Sequence, residues 1–575
     1  MMLHALTGGA DGGLRRDSMK RRTEALRAIA EKHFDLCVIG GGATGAGCAL
    51  DAQLRGLRTV LLDANDFASG ASSASTKLVH GGVRYLEQAV RGLDLEEYRM
   101  VRRALRERVY MLRNAPHLAR ATEFVVPVYS WMQAAYYWGG TKIYDLLAGQ
   151  QSLSSSQLLS RGKTLERMPG LRRTGLRGSV IYSDGQFDDA RYNISLVKSF
   201  CEEGGEALNY ARVTRFSRDG SGKLAEATVR DSPGGQEFAV RARTFVNATG
   251  ATSDRVRQLA SPGTPGRLKP SKGVHIFFAL ESAPGEDALL VPKTEDGRVI
   301  FAVPWQQRLL VGTTDDGAAP DAPMVVLRGE AEYLLRQLNP YLERHLEPEQ
   351  IVSGMSGLRP LVAARGKGST KELVREHEVE IDEGSGLVSI LGGKWTTHRL
   401  MAEETIDAVQ KSQRKAATEC ETKAYPLAGA ENFTGEYWQT LAKQFEVAPA
   451  TAKHLAEKFG TRAKDVLALC DEGRVWKRLL VEGWPAVDAE VIYCAREEMA
   501  LTIEDVLARR LGLQLYDWRM AVRAAPRAGS LLAGELGWTE EETAAAVNAY
   551  TERVRGYLRE LGLAEDQTRR QRAER

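Results

Sequence analysis

The sequence predicts an α/β fold in three parts: a Rossmann-like dinucleotide-binding domain, a β-rich domain interleaved with it, and a helical C-terminal domain. Three observations carry this. A glycine tract, Ile39-Gly40-Gly41-Gly42-Ala43-Thr44-Gly45-Ala46-Gly47, runs off the apolar stretch Leu36 to Ile39. Residues from about 270 to 390 carry alternating and β-branched strand signals, and from Phe433 onward apolar residues recur at helical spacing.

The tract spells the turn by which a buried strand delivers a pyrophosphate to a helix N-terminus. Gly40 permits the tight turn, Gly42 lets backbone N–H groups approach phosphate oxygens, and Gly45 lets the helix pack closely on the strand. A second apolar run, Thr59 to Leu62, ends in Asp63, at the distance expected of a ribose-hydroxyl acceptor.

The 575 residues are too many for one core and imply two or three domains. With 78 basic and 75 acidic residues the formal charge is +3, and 43% of residues are hydrophobic, so neither disorder nor nucleic-acid binding is indicated. The six cysteines, at 37, 48, 201, 420, 470 and 494, form no CxxC pair and do not cluster with histidine. No metal site and no disulfide framework are expected, and a reducing compartment fits. Residues 1–31 lack the apolar core of a signal peptide and read as a loose leader plus a short helix, so a cytosolic protein is expected.

The uncharged stretch Phe124 to Thr141 contains Pro127, Gly139 and Gly140 and is a poor spanning helix. Trp131, Tyr136, Tyr137, Trp138 and Tyr144 crowd the same region; core packing and a place at a membrane boundary are both open to them. Glu96 to Asn114 is an amphipathic helix with a basic face of Arg102, Arg103, Arg106, Arg108 and Arg113, facing solvent or an anionic membrane surface. Ala207 to Val246 reads as several strands ending before Ala248-Thr249-Gly250, and further strands are expected at Val274 to Ala279, Val299 to Val303, Leu309 to Gly312, Glu378 to Ile381 and Leu387 to Leu391. Helices are expected at Ala450 to Phe459, Asp488 to Met499 and Glu540 to Leu561.

From Gly40 to Gly56 the chain reads GGGATGAGCALDAQLRG. This string, with Ser72 to Leu86, Tyr182-Ser183-Asp184, Asp188 to Arg191, Val246 to Gly250, Lys272 to His275, Gly312 to Asp315, Ser356 to Leu361 and Gly392-Gly393-Lys394, resembles the FAD-dependent (respiratory, aerobic-type) glycerol-3-phosphate dehydrogenase family. The matches run from residue 34 to about 410, and looser ones continue through Glu490 to Ile492, Glu497-Glu498 and Asp505 to Arg510.

The resemblance implies FAD as cofactor, held by Gly40, Gly42, Thr44, Gly45, Asp63, Ser72, Ser73, Lys77, His80, Thr249, Gly250, Gly393, Lys394, Thr396 and Thr397. It implies oxidation of sn-glycerol 3-phosphate to dihydroxyacetone phosphate by hydride transfer to flavin, with electrons passed on to quinone. A phosphate carries about two negative charges and is best met by arginine forks; Arg84, Arg359 and Arg375, with Tyr85 beside them, match the family's phosphate end. His275 is the first choice of base, with His80 second, and Lys394 is expected near the flavin edge. The catalytic set is then His275, Arg359 and Lys394, with His275 also against the substrate.

Where the family usually has tyrosine this chain has His398 before Arg399, with flavin binding expected to persist. It lacks acidic EF-hand loops, so calcium control is not expected. The expected division is a flexible N-terminal leader 1–31, an FAD-binding domain in three segments (32–115, 176–262 and 351–415), a substrate or cap segment 116–175, a β-rich substrate domain 263–350, and a helical C-terminal domain 425–565. The implied location is cytoplasmic, peripheral on the inner face of the cell membrane, with a homodimer left open. An oxidase delivering electrons to oxygen, or a catalytically silent flavin-binding scaffold, are the competing readings.

Overall fold

The computed structural model describes residues 17–82, 95–363, 373–374 and 377–563. Arg84, Tyr85 and Arg375 lie outside the described residues. The first sheet runs Glu378–Ile381, Val388–Leu391, Glu237–Asn247, β1 (His33–Ile39), β2 (Thr59–Leu62), Glu206–Leu208. β1 pairs parallel with both β2 and Glu237–Asn247, so Phe34 to Ile39 are all buried. A strand covered on both faces needs an unbroken apolar run, which Leu36 to Ile39 supplies.

The second sheet runs Asp316–Gly317, Ser271–Ala279, Arg308–Gly312, Ile300–Trp305, Ala288–Val291, Ala119–Val128, Gly178–Phe187, Leu78–Val79, with Ser353–Arg359 paired on Ser271–Ala279. The strand pairing here crosses the expected division. Ala119–Val128, from the expected cap segment, pairs along its whole length with Gly178–Phe187, from the expected second FAD-binding segment, and both join the sheet of residues 263–350. Strand signals are local, whereas the choice of partner strand is made by the whole chain.

The leader expected to be flexible contains α1 (Asp17–Glu31), which is docked: Leu26 and Ile29 are buried, and Arg22 donates to Asp231 at 2.8 Å and to Asn209 at 3.1 Å. α2 (Ala43–Leu54) links β1 to β2 and buries its small residues Ala46, Cys48, Ala49 and Ala52. α3 (Leu95–Asn114) keeps Arg99, Arg102, Arg103, Arg106 and Arg113 exposed. Arg108 departs from the expected basic face; it is buried and donates to Asp184 at 2.7 Å. α4 (Trp131–Ala148) divides its aromatics: Tyr144 enters the core, while Trp131 is 68% exposed, with Met132 and Leu146 higher still.

The C-terminal helices, from Tyr437–Phe445 to Glu540–Glu560, share one core with the second sheet, in which Ile276 and Val311 belong to the same cluster as Trp518 and Leu532. Among the described residues no helix is long and apolar enough to cross a membrane.

Candidate active site

The glycine turn is built for close approach. Gly40 has φ +107°, and a Cβ on Gly45 would lie 1.7 Å from the Gly40 carbonyl oxygen. Gly42 stands at the N-terminus of α2 with no side-chain cap, so the helix end presents its N–H groups beyond the turn. Ala43 N–H donates to Ser72 Oγ at 2.9 Å, and Gly41 N–H to Asp63 Oδ2 at 2.6 Å. Burial raises Asp63 to about 6 against the pull of the Asn65 and Gly41 N–H groups. A helix N-terminus, a glycine cradle without Cβ atoms and an acid at the end of β2 form a donor and acceptor set that fits a dinucleotide.

Thr44, Thr249 and Gly250 flank the same turn. Thr44 Oγ1 stands 4.0 Å from Met401 Sδ, Thr249 Oγ1 donates to Asn247 at 2.7 Å, and Gly250 has φ +56°. Ser72 is tied onward, since its carbonyl accepts Trp395 Nε1–H at 2.9 Å. Thr396 Oγ1 accepts the His80 N–H at 3.3 Å, and Thr397 donates to the Lys394 carbonyl. Gly393, at φ +93°, presses on Met401, where a Cβ would sit 2.3 Å from its sulfur. The Ser72 to His80 loop and the Gly393 to Thr397 turn thus form one unit. The Lys77 ammonium, expected at the cofactor, is fully buried and bonded to Asp189 at 2.5 Å and to the Ser73 carbonyl at 2.8 Å. Both bonds tie the loop to the helix Asp189–Glu202 and to its own backbone.

Beside this unit lies a cavity of about 600 Å³. His275, Arg359, Lys394, His80, Thr313 and Asp315 meet at its polar part. His275 and Arg359 come from neighbouring strands, Ser271–Ala279 and Ser353–Arg359. His275 is 2% exposed; its Nε2 lies 3.0 Å from Thr76 Oγ1, and its Nδ1 has no hydrogen-bonding partner among the described residues. Burial, then the charges of Arg359 and Lys77, hold its pKa well below the usual imidazole value, so the ring is neutral near pH 7. Burial also lowers His80, with Asp184 pulling the other way.

Arg359 donates to Asp315 at 3.1 Å and to Thr313 at 2.9 Å. Both partners went unassigned in the sequence although the string Gly312 to Asp315 stood out, because Asp315 meets its arginine across 44 residues of chain. Thr76 was also missed. Nothing local marks a threonine as the support of a histidine 199 residues away.

His398 stacks edge-on against Trp395, and its Nδ1–H donates to the Trp395 carbonyl at 3.0 Å. Arg399 forks onto Glu107 at 2.7 and 2.6 Å. Both are buried supports behind the Lys394 turn.

Residues 35–407 match the family described as FAD dependent oxidoreductase, and residues 420–543 match the C-terminal domain of alpha-glycerophosphate oxidase. The chain is 40% identical over 562 residues to the probable mitochondrial glycerol-3-phosphate dehydrogenase of Caenorhabditis elegans, covering 96% of this chain and 77% of that one. It is 39% identical over 536 residues to the mitochondrial glycerol-3-phosphate dehydrogenase of Homo sapiens, covering 91% and 74%. The crystal structure of the glycerol-3-phosphate dehydrogenase from Bacillus halodurans complexed with FAD superimposes with a TM-score of 0.75 at 29% identity, covering 93% of this chain and 97% of that one. The chain belongs to the FAD-dependent glycerol-3-phosphate dehydrogenase family, and FAD is its cofactor.

Proposed function

We propose that the protein oxidises sn-glycerol 3-phosphate to dihydroxyacetone phosphate and passes the electrons to a quinone at an anionic membrane surface, on the cytoplasmic face of the cell membrane. The observation that carries this reading is the meeting of a buried neutral histidine with a braced arginine in one cavity beside a dinucleotide cradle. Bound FAD supplies a two-electron acceptor.

The protein's own groups do the rest. Arg359, held by Asp315 and Thr313, offers fixed N–H donors to the substrate phosphate, with Arg84, Tyr85 and Arg375 proposed to complete that end. His275, held by Thr76, takes the hydroxyl proton on an imidazole that burial keeps neutral. Lys394 adds positive charge at the cavity wall nearest the Ser72 loop. Asp63 serves as the ribose acceptor of the cofactor.

The quinone reading draws on the cavity's apolar part, lined by Ile143, Leu290, Val299 and Phe301, which runs beneath α4. Outside, α4 exposes Trp131, Met132 and Leu146 and packs against α3 with its exposed arginines, a combination suited to an anionic bilayer surface.

Turnover of the purified protein on glycerol 3-phosphate, with a quinone analogue and with oxygen as acceptors, tests the reading. Reduction of the quinone analogue without peroxide is expected. Stoichiometric peroxide would overturn the quinone as acceptor, and absence of turnover with any acceptor would overturn the substrate.

A further inference from the structure

We propose that Arg509 and Arg510, in the helical C-terminal domain, are positioning residues for FAD. They act through Asp66, and through them the C-terminal domain sets how tightly the cofactor is held. The inference rests on Asp63 as ribose acceptor.

Asp63 and Asp66 sit on one short turn after β2. One face of that turn lies on the glycine cradle: Gly41 N–H donates to Asp63, Ala68 N–H donates to the Gly41 carbonyl at 3.3 Å, and a Cβ on Gly41 would lie 2.5 Å from the Phe67 ring. The other face carries Asp66, fully buried. Its carboxylate accepts Arg509 Nε–H at 2.6 Å, both terminal nitrogens of Arg510, one of them at 3.0 Å, and Asn209 Nδ2–H at 2.9 Å.

Both arginines leave a π-helical turn, Asp505–Arg510, a geometry rare in folded proteins and frequent at functional places. Asp505 closes the circuit. It accepts Arg509 Nη2–H at 2.5 Å and the Tyr210 hydroxyl at 2.7 Å, while Tyr210 N–H donates to the Asn65 carbonyl on the same cofactor turn.

A second connection reaches the cradle from behind. Glu498 of the C-terminal domain takes a two-pronged bond from Arg191 at 2.7 and 2.8 Å, and Asn193, on the same helix Asp189–Glu202, donates to the Gly41 carbonyl at 2.9 Å. Both connections end at Gly41 and its neighbours. No described residue of the C-terminal domain lines the substrate cavity, so its reach into the chemistry runs through the cofactor cradle.

Two quantities test this for the full-length holoenzyme: the FAD dissociation constant, from titration of apoprotein with FAD, and the release rate, from recovery of flavin fluorescence on dilution. Melting temperatures are measured alongside. Asp63→Ala and Asp66→Asn are expected to weaken FAD binding by about tenfold or more, and Arg510→Lys, which keeps charge but loses the fork, by less. Arg527→Met cuts an ion pair to Asp488 within the C-terminal domain and is expected to lower the melting temperature with FAD release unchanged.

If Asp63→Ala leaves FAD binding unchanged, the ribose reading fails and the inference with it. If Asp63→Ala weakens binding but Asp66→Asn and Arg510→Lys release FAD at the wild-type rate, the arginines are structural only and the inference is overturned. Should Asp66→Asn fail to fold, Arg510→Lys carries the comparison. Faster release in Arg527→Met at an equal loss of melting temperature would also overturn it.

Discussion

His275 and Gly312 face each other as a directly paired couple on neighbouring strands, and the imidazole occupies the space a side chain at Gly312 would need: a Cβ there would lie 2.1 Å from His275 Cδ2. The glycine is therefore part of how the proposed base is aimed. Gly312→Ala is expected to push the ring off Thr76 and lower kcat on the order of 10²-fold, the cost of about 1 Å of misplacement. The flavin spectrum of the purified variant should be unchanged. Wild-type kcat in that variant would remove His275 as the base.

The same relation holds at the arginine. A Cβ on Gly273 would lie 2.4 Å from Arg359 Nη2, so Gly273→Ala should displace the guanidinium while leaving the imidazole in place. Charge-assisted hydrogen bonds contribute about 1.5–3 kcal/mol, and KM for glycerol 3-phosphate is expected to rise about 10- to 100-fold. Arg359→Ala should do at least as much with FAD retained. Steady-state kinetics at saturating acceptor would show it, and an unchanged KM in both variants would take Arg359 out of the phosphate site.

Buried histidines set a pH dependence of stability. Burial and the Arg191 charge lower His117 to about 3, burial and Arg399 lower His398 to about 4, and His275 lies well below its usual value. A histidine depressed in the folded state binds its proton first in the unfolded chain. Its contribution is complete above about pH 6.5 and is lost as pH falls, by about 1.4 kcal/mol per pH unit for each ring. Neither nitrogen of His117 finds a partner among the described residues, so His117→Leu removes a titration without removing a bond. Urea unfolding at pH 7 and pH 5.5 should show the variant losing about 1 kcal/mol less than wild type on acidification. Equal losses would place a charged His117 in the folded state.

The outer face of α4 makes a prediction about lipid. Each large apolar side chain moved from water into an apolar environment contributes about 1.5–3 kcal/mol. The double change Trp131→Ser with Leu146→Ser should weaken co-sedimentation with anionic vesicles by at least about tenfold. Binding of the wild type should also fall at high salt, because the exposed arginines of α3 are screened. No binding by the wild type at low salt would end the membrane reading.

Much of this molecule is legible residue by residue, because the signals are local. Glycines that a turn requires, an acid closing a strand, and apolar residues at helical spacing are properties of short windows. Hence the cradle at Gly40 to Gly45 lies where it was expected, the strand Glu378–Ile381 matches its expected bounds, and the helices Asp488–Glu497 and Glu540–Glu560 fall within two residues of theirs. The string from Gly40 to Gly56 carried the family with it.

What the tertiary structure alone decided depends on contacts between distant residues. Arg108 reads as one more cation on a basic face, but Asp184 arrives from the strand Gly178–Phe187 and pairs with it in the interior. Lys77 reads as a lone cation on a site loop, and only folding brings Asp189 to it across 112 residues. Gly178–Phe187 carries strand signals that do not name a sheet; its pairing with Ala119–Val128 does. Asp66 in the nucleotide-binding half and Arg510 in the helical tail stand 444 residues apart, and only folding converts two ordinary charges into one buried pair behind the cofactor turn.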